Sequence, residues 1–184
     1  MIACLNGNLP IMKILLELAL NEEEQLTMAN QSNRKNMTAL HISCLIGNIS
    51  MCAALLQCGA DFLKSDLQRF LPIHYAVIKD HTDLIRFFVQ NQNIKIFDPV
   101  YHCFEHTLLT LAIQNGAYNT VKLLVTEYGA DVTEKDKQDY TYLHVAAVSG
   151  HVNIFLFFLS KQVSLHSKNA KGETAIELAT KHGH

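Results

Sequence analysis

One short motif recurs along this chain at nearly constant intervals, and this recurrence limits the possible folds more than any other feature of the sequence. The motif reads Thr-Ala-Leu-His at residues 38–41, and its fourth position falls at residues 41, 74, 110, 144 and 177, with spacings of 33, 36, 34 and 33. A period of this length is typical of repeat proteins, in which each repeat buries its apolar face only against its neighbours. The sequence therefore predicts a stack of similar repeats.

Each copy of the motif is followed, six residues later, by a residue suited to a tight turn. Glycine occupies this position in every copy but one, where Asp80 replaces it. Glycine ends a helix readily because it adopts positive φ without steric cost. The motif begins with Thr in four copies, and Pro72 stands second in the remaining one. Both residue types favour the first turn of a helix, and an apolar run follows each of the first four turn residues. Each motif is therefore expected to begin a helix that ends at the turn residue.

This combination of motif and period resembles the ankyrin repeat, whose pattern is Thr-Pro-Leu-His-x-Ala. The resemblance implies an all-α repeat solenoid, an ankyrin-repeat stack of helix-turn-helix units with hairpin fingers. We expect a single array over residues 1–184, made of a partial repeat 1–21, a loop 22–32, full repeats at about 33–65, 66–101, 102–135 and 136–168, and a partial repeat 169–184. Because both terminal repeats are incomplete, we expect the chain to be part of a longer polypeptide. The third motif position should face the core in every repeat, which places these residues there: Leu40, Ile73, Leu109, Leu143 and Ile176.

The composition argues against several classes of function. A formal net charge of −2 with 17% charged residues gives no basic footprint for nucleic acid and no polybasic patch for an anionic membrane. The apolar runs are well short of the about 20 residues that a spanning helix needs, so no membrane insertion is expected. Five cysteines are an odd number without the spacing of a disulfide framework, which favours a reducing, cytoplasmic location. The irregular consensus also resembles that of some effectors delivered by intracellular pathogens, for which the host-cell cytosol would be the location.

The chemistry-bearing residues predict neither catalysis nor a cofactor, because no nucleophile–base arrangement, phosphate-binding loop or zinc-protease motif is present. The resemblance implies a structural role for the motif histidines, which are His41, His74 and His144. One cluster, His102-Cys103-x-x-His106 with Glu105 as a fourth donor, has ligand-like spacing. Zinc usually takes four such donors, so the cluster is either a zinc site or an exposed loop, and we favour the loop.

The resemblance further implies a non-catalytic protein-interaction module that binds another protein through a concave face of finger tips and first helices. The candidate partner-binding residues are Arg34, Lys35, Met37, Leu45, Ile46, Leu67, Phe70, Ile78, Lys79, Phe104, Tyr140 and Val148. Phe70, Phe104 and Tyr140 fall at or near successive finger tips, and aromatic residues are frequent interface hot spots. The alternative is that these side chains fold back onto the neighbouring finger. An alternative function is that of a regulatory or targeting segment in a larger enzyme, channel or secreted effector.

Overall fold

The computed structural model of the chain describes residues 3, 6–19, 21–92, 94–103 and 106–184. Contacts divide the chain into two compact units, the N-terminal unit Met1–Glu105 and the C-terminal unit His106–His184. Within the described residues the regular elements are α-helices and one turn of 3-10 helix at Pro99–Tyr101. The helices are α1 Leu9–Glu17, α2 Glu22–Asn30, α3 Ala39–Ile46, α4 Ile49–Gln57, α5 Pro72–Ile78, α6 Thr82–Asn91, α7 Leu108–Gln114, α8 Tyr118–Thr126, α9 Tyr142–Val148, α10 Val152–Ser160 and α11 Ala175–His182.

The N-terminal unit is built from two layers of helices. The motif-bearing helices α3 and α5 pack against each other, and each also packs against the helix that follows it, α4 or α6. Helix α4 contacts both α1 and α6, so these three form the second layer. The unit therefore buries its apolar surface by stacking neighbouring helix pairs, as the repeat pattern predicted.

The C-terminal unit repeats this arrangement. Helix α9 lies at its centre and packs against α7 on one side and α11 on the other, while α8 and α10 form the second layer. The predicted all-α repeat solenoid is confirmed. No helix in the described part of either unit is both long enough and apolar enough to cross a bilayer.

The first helices begin and end at the residues that the sequence indicated. The Thr107 hydroxyl accepts a hydrogen bond from the Thr110 N–H at 3.1 Å, and Pro72 occupies the first turn of α5. The turn residues have positive φ, +74° at Gly47 and +60° at Asp80. Asp tolerates this conformation better than most residues, which explains why it can stand where the other repeats have Gly.

The loop predicted at residues 22–32 is wrong, because residues Glu22–Asn30 form helix α2. The polar residues that suggested a loop instead cap and anchor this helix. The Asn21 side chain caps its first turn, where three glutamates lie near the positive end of the helix dipole. At the other end, Asn30 Nδ2 donates to the Gly59 carbonyl at 2.9 Å and ties α2 to the next repeat.

The core contains four of the five residues predicted from the third motif position. Leu40, Ile73, Leu109 and Leu143 are each at most 3% exposed. The prediction is wrong for Ile176, which is 52% exposed. Ile176 lies on α11, the last helix of the chain given, and no later helix packs over it.

Candidate functional site

Four of the fingers are held in one shape by a single Asn or Asp side chain each. In the finger at residues 33–37, Asn33 Oδ1 accepts hydrogen bonds from the N–H groups of Lys35 at 2.9 Å and Met37 at 3.0 Å. The Asn33 N–H donates to the Met37 carbonyl at 3.0 Å, which closes the hairpin. The same pattern recurs around Asp66, Asp136 and Asn169. The finger backbone is therefore satisfied internally, and the other tip side chains are not needed to hold its shape.

Neighbouring fingers within each unit are joined by a backbone hydrogen bond. In the N-terminal unit the Leu67 N–H donates to the Lys35 carbonyl at 3.0 Å, and in the C-terminal unit the Ala170 N–H donates to the Gln138 carbonyl at 2.9 Å. Each bond places two tips side by side. Tip residues from successive repeats therefore form one continuous strip in each unit.

The motif histidines connect the first helices to these fingers. His41 Nδ1 accepts a hydrogen bond from the Thr38 N–H at 3.0 Å, and because a backbone N–H can only donate, the ring proton must lie on Nε2. His41 Nε2 then donates to the Phe70 carbonyl of the next finger at 3.1 Å. His144 makes the equivalent pair of bonds, to the Thr141 N–H at 3.1 Å and the Glu173 carbonyl at 3.2 Å. The structural role predicted for these histidines fits this geometry.

Burial lowers the pKa of two of these histidines. His41 and His74 are both fully shielded from solvent. Desolvation is the largest effect on each ring and disfavours the charged imidazolium, whereas the hydrogen bond from each ring to a backbone carbonyl partly opposes it. The neutral form is also the one that the hydrogen bonds require, since a proton on Nδ1 would face a backbone N–H.

The N-terminal unit exposes five of its nine described partner-binding candidates. Leu67, at a finger tip, is 72% exposed, and Ile46, at the end of α3, is 39% exposed. The cationic side chains among the candidates, Arg34, Lys35 and Lys79, are also exposed. The remaining candidates of this unit are half-buried, namely Met37, Leu45, Phe70 and Ile78.

The two described aromatic tips fold partly back onto their own repeats. The Phe70 ring lies edge-on to His74, with centroids 5.6 Å apart, and to Tyr75, at 5.8 Å. The Tyr140 ring lies 5.6 Å from that of His144. Both side chains are half-buried, as is Val148 at the end of α9. Part of each aromatic surface is thus used in packing, and Phe104 lies outside the described residues.

The finger before α7 differs from the others. The position that carries Asn or Asp in the other fingers is His102. His102 is exposed, but Cys103 is only 2% exposed and its thiol points to the Gln68 carbonyl at 4.0 Å. The exposed loop that we favoured is therefore wrong for Cys103, which packs on the preceding finger. In the part of the chain that the structure describes, no three His, Cys, Asp or Glu side chains converge on a metal position, and Glu105 lies outside that part.

Comparison with known families agrees with this architecture. A family model described as "Ankyrin repeats (3 copies)" matches residues 1–66, 47–136 and 109–184, which together cover the chain. The chain belongs to the ankyrin-repeat family. Ankyrin repeats generally serve as protein–protein interaction modules.

Ankyrin-repeat relatives of very different size share this similarity. Alpha-latrocrustotoxin-Lt1a of Latrodectus tredecimguttatus is 26% identical over 116 residues, which are 63% of this chain and 8% of the toxin. A transient receptor potential cation channel subfamily A member 1 homolog of Caenorhabditis elegans is 25% identical over 180 residues, 97% of this chain and 14% of the channel. A putative ankyrin repeat protein of fowlpox virus is 27% identical over 129 residues, 70% of this chain and 86% of the viral protein. The chain thus spans a small part of the toxin and the channel.

Sequence reasoning missed the residues that shape the fingers, although a signal for them exists. Asn33, Asp66, Asp136 and Asn169 each stand five residues before the residue that precedes a first helix. Asn and Asp at such a fixed position are typical of turns in which the side chain accepts backbone hydrogen bonds. The exposed cation Arg69, at the second finger tip of the N-terminal unit, was also missed, because the apolar residues near it were predicted as the candidates.

Proposed function

We propose that this ankyrin array is a non-catalytic binding module that holds a partner protein on its finger tips and first helices. The observation that carries the proposal is the exposure of Leu67, 72% at a tip whose shape is already fixed by Asp66. A large apolar side chain gains nothing for the fold in this position, whereas an apolar side chain surrounded by polar residues is typical of a protein-binding site. Ile46 is a second exposed apolar side chain, at the end of α3.

The experiment compares two leucines that are exposed to a similar degree in different places. Leu67→Ser alters a finger tip, whereas Leu156→Ser alters α10, where Leu156 is 57% exposed on a second helix. Neither change should lower the free energy of unfolding by more than about 0.5 kcal/mol, because surface substitutions of this kind have small effects. Proteins retained from a cell extract by the wild type and by Leu156→Ser, but not by Leu67→Ser, would support the proposal. Retention of the same proteins by all three would contradict it.

The C-terminal unit is tested in the same way. We propose that Tyr140 and Val148 extend the binding surface there, although both are half-buried. Tyr140→Ala should remove a tip contact and about 2 kcal/mol or more of binding free energy if the ring is an anchor. An unchanged partner affinity, measured by titration calorimetry once a partner is in hand, would exclude Tyr140 from the surface.

A second candidate function is that of a regulatory or targeting segment in a longer protein, such as an enzyme, a channel or a secreted effector. The observation that favours it is the small fraction of the toxin and channel relatives that this chain spans, 8% and 14%. In this case the activity would lie outside these 184 residues, and the array would act on it from the cytoplasm of the producing or the host cell. Deleting residues 33–105 from the full-length gene product should then change its location or regulation and leave its basal activity intact.

A further inference from the structure

The finger face of the N-terminal unit, defined as the two tips at residues 33–37 and 66–70 with the ends of α3 and α5, is strongly cationic. Its exposed charged side chains are those of Arg34, Lys35, Arg69 and Lys79. No Asp or Glu occurs between residues 25 and 60, although the whole chain has a formal net charge of −2. The positive charge on this face is therefore a local feature that the overall composition conceals.

The four cations of this face outnumber the two acidic side chains within it, Asp66 and Asp80. Asp66 is only 6% exposed, and its carboxylate accepts hydrogen bonds from the N–H groups of Gln68 and Phe70 and from the Tyr75 hydroxyl, the last at 2.6 Å. Asp80 lies half-buried in the turn after α5. The ion pairs Arg86–Asp83 and Lys181–Glu173 involve no cation of the finger face.

The cations lie close in the backbone to an exposed apolar residue. The Leu67 N–H is bonded to the Lys35 carbonyl, and Arg69 follows two residues later at φ +60°, so the exposed leucine has cationic neighbours in both tips. Ile46 and Lys79 lie at the far ends of their first helices, about 10 Å from the first residue of each helix at 1.5 Å per residue. An extended segment or one helical face can span this distance.

The C-terminal unit offers a different charge pattern. Both of its finger tips mix the two signs of charge, since Asp136 and Asp139 alternate with Lys135 and Lys137, and Glu173 follows Lys168 and Lys171. A tip of mixed sign selects no net charge in a partner. The finger faces of the two units are therefore expected to bind ligands of different charge.

Building on the function proposed above, we propose that the finger face of the N-terminal unit binds an acidic protein segment that also carries large apolar residues. Carboxylates of the segment pair with Lys35 and Arg69, and an apolar side chain covers Leu67. Complementary charge of this kind mainly speeds association and selects the partner, whereas the buried apolar contact supplies most of the affinity. The exposed position of the cations makes the charge contribution sensitive to salt.

The test starts from a random 12-residue peptide library displayed on phage and selected on the wild-type protein at 50 mM NaCl. The selected peptides should be rich in Asp and Glu and contain Leu, Ile, Phe or Met. Fluorescence anisotropy of one labelled peptide should show at least about 10-fold weaker binding to Lys35→Glu/Arg69→Glu, and severalfold weaker binding to the wild type at 300 mM NaCl. The charge-matched control Lys13→Glu/Lys122→Glu reverses exposed lysines on α1 and α8 and should leave the affinity within about twofold.

Selected peptides that are neutral or basic, or that bind Lys35→Glu/Arg69→Glu as well as the wild type, overturn the acidic-partner inference. If such peptides bind the wild type but not Leu67→Ser, the proposed protein-binding function stands and only the acidic-partner inference fails. A library that yields no binders also overturns the inference, while the pull-down with the leucine variants continues to decide the proposed function. If no acidic peptide binds, the wild type is tested with a 12-nucleotide single-stranded DNA and with phosphatidylserine vesicles. Binding of either that is lost in Lys35→Glu/Arg69→Glu would reassign the face to nucleic acid or lipid.

Discussion

The ring of His81 lies against the Cα of Gly47, so close that a Cβ at residue 47 would stand 2.7 Å from His81 Cε1. His81 Nε2 also donates to the Leu45 carbonyl at 3.3 Å. The turn glycine therefore has two tasks, since it adopts φ +74° and it leaves room for a ring from the next repeat. The same approach of ring to glycine recurs between His151 and Gly116.

These two tasks can be separated by comparing two glycines. Gly129 has φ +71° but would place a Cβ in open space, so Gly129→Ala should lower the free energy of unfolding by about 1–2 kcal/mol from backbone conformation alone. Gly47→Ala should cost about 1–3 kcal/mol more, because the His81 ring must move and its hydrogen bond is lost. Urea unfolding followed by circular dichroism measures both changes, and equal losses would show that the ring yields without penalty.

The buried histidines predict that acid destabilises the array. Folding lowers the pKa of His41 and His74 below the ordinary value of 6.5, so below that pH the unfolded chain binds more protons than the folded one. Stability should be fully present above about pH 6.5 and should fall as the pH drops from there toward the folded-state pKa values. The free energy of unfolding should therefore be lower at pH 5.5 than at pH 7.5.

A matched pair of substitutions tests whether the buried rings cause this pH dependence of stability. His41→Gln removes one titrating ring, and the difference between pH 7.5 and pH 5.5 should shrink. His166→Gln removes an exposed ring and should leave the difference unchanged. An array whose stability is the same at both pH values would contradict the assignment to the buried rings.

The carboxylate of Asp66 is predicted to hold its finger through its oxygen atoms rather than its charge. Asp66→Asn keeps Oδ1 for the backbone bonds to Gln68 and Phe70, whereas Asp66→Ala leaves both N–H groups without that acceptor. We expect Asp66→Ala to cost about 1–3 kcal/mol of stability and Asp66→Asn clearly less. Tyr75→Phe removes only the hydroxyl bond and separates that contribution. Thermal unfolding of the three variants gives the order, and an Asn variant as unstable as the Ala variant would show that the charge matters.

Core and surface positions of the C-terminal unit should respond differently to the same change. Leu143 is fully buried on α9, and Leu143→Ala should cost about 2–5 kcal/mol through lost burial and a residual cavity. Leu156→Ala, on the exposed side of α10, should change stability by at most about 0.5 kcal/mol. Denaturant midpoints of the purified variants decide between these values, and a large loss for Leu156→Ala would mean that its exposed face is covered in solution.

The repeat period and the ends of the first helices could be predicted from sequence because they depend on local chemistry. A Thr before the motif helix caps it and a Gly after it ends it, as Thr107 and Gly47 do here. Helix α2 could not be predicted in the same way, since its polar residues resemble a loop until Asn30 is seen bonding to Gly59 in the next repeat. The Asn30–Gly59 hydrogen bond is not part of the repeated motif, so the period gives no signal for it.

The candidate binding surface could be predicted by position but not by exposure. Leu67 and Phe70 both fall at a finger tip, yet Leu67 is largely exposed and Phe70 is half-buried. The difference arises because the Phe70 ring packs on His74 and Tyr75, a choice of side-chain conformation that the sequence pattern does not encode.

The Asn or Asp that shapes each finger has a consequence for how such a chain can change over time. Asn33 and Asp66 each hold the backbone of their own finger, so the exposed tip residues 34, 35, 67 and 68 can be exchanged without disturbing the fold. If the finger tips bind the partner as proposed, mutations at residues 34, 35, 67 and 68 would alter what the array recognises and leave its stability nearly constant. New binding specificities can therefore be reached by single steps, each passing through a protein that still folds.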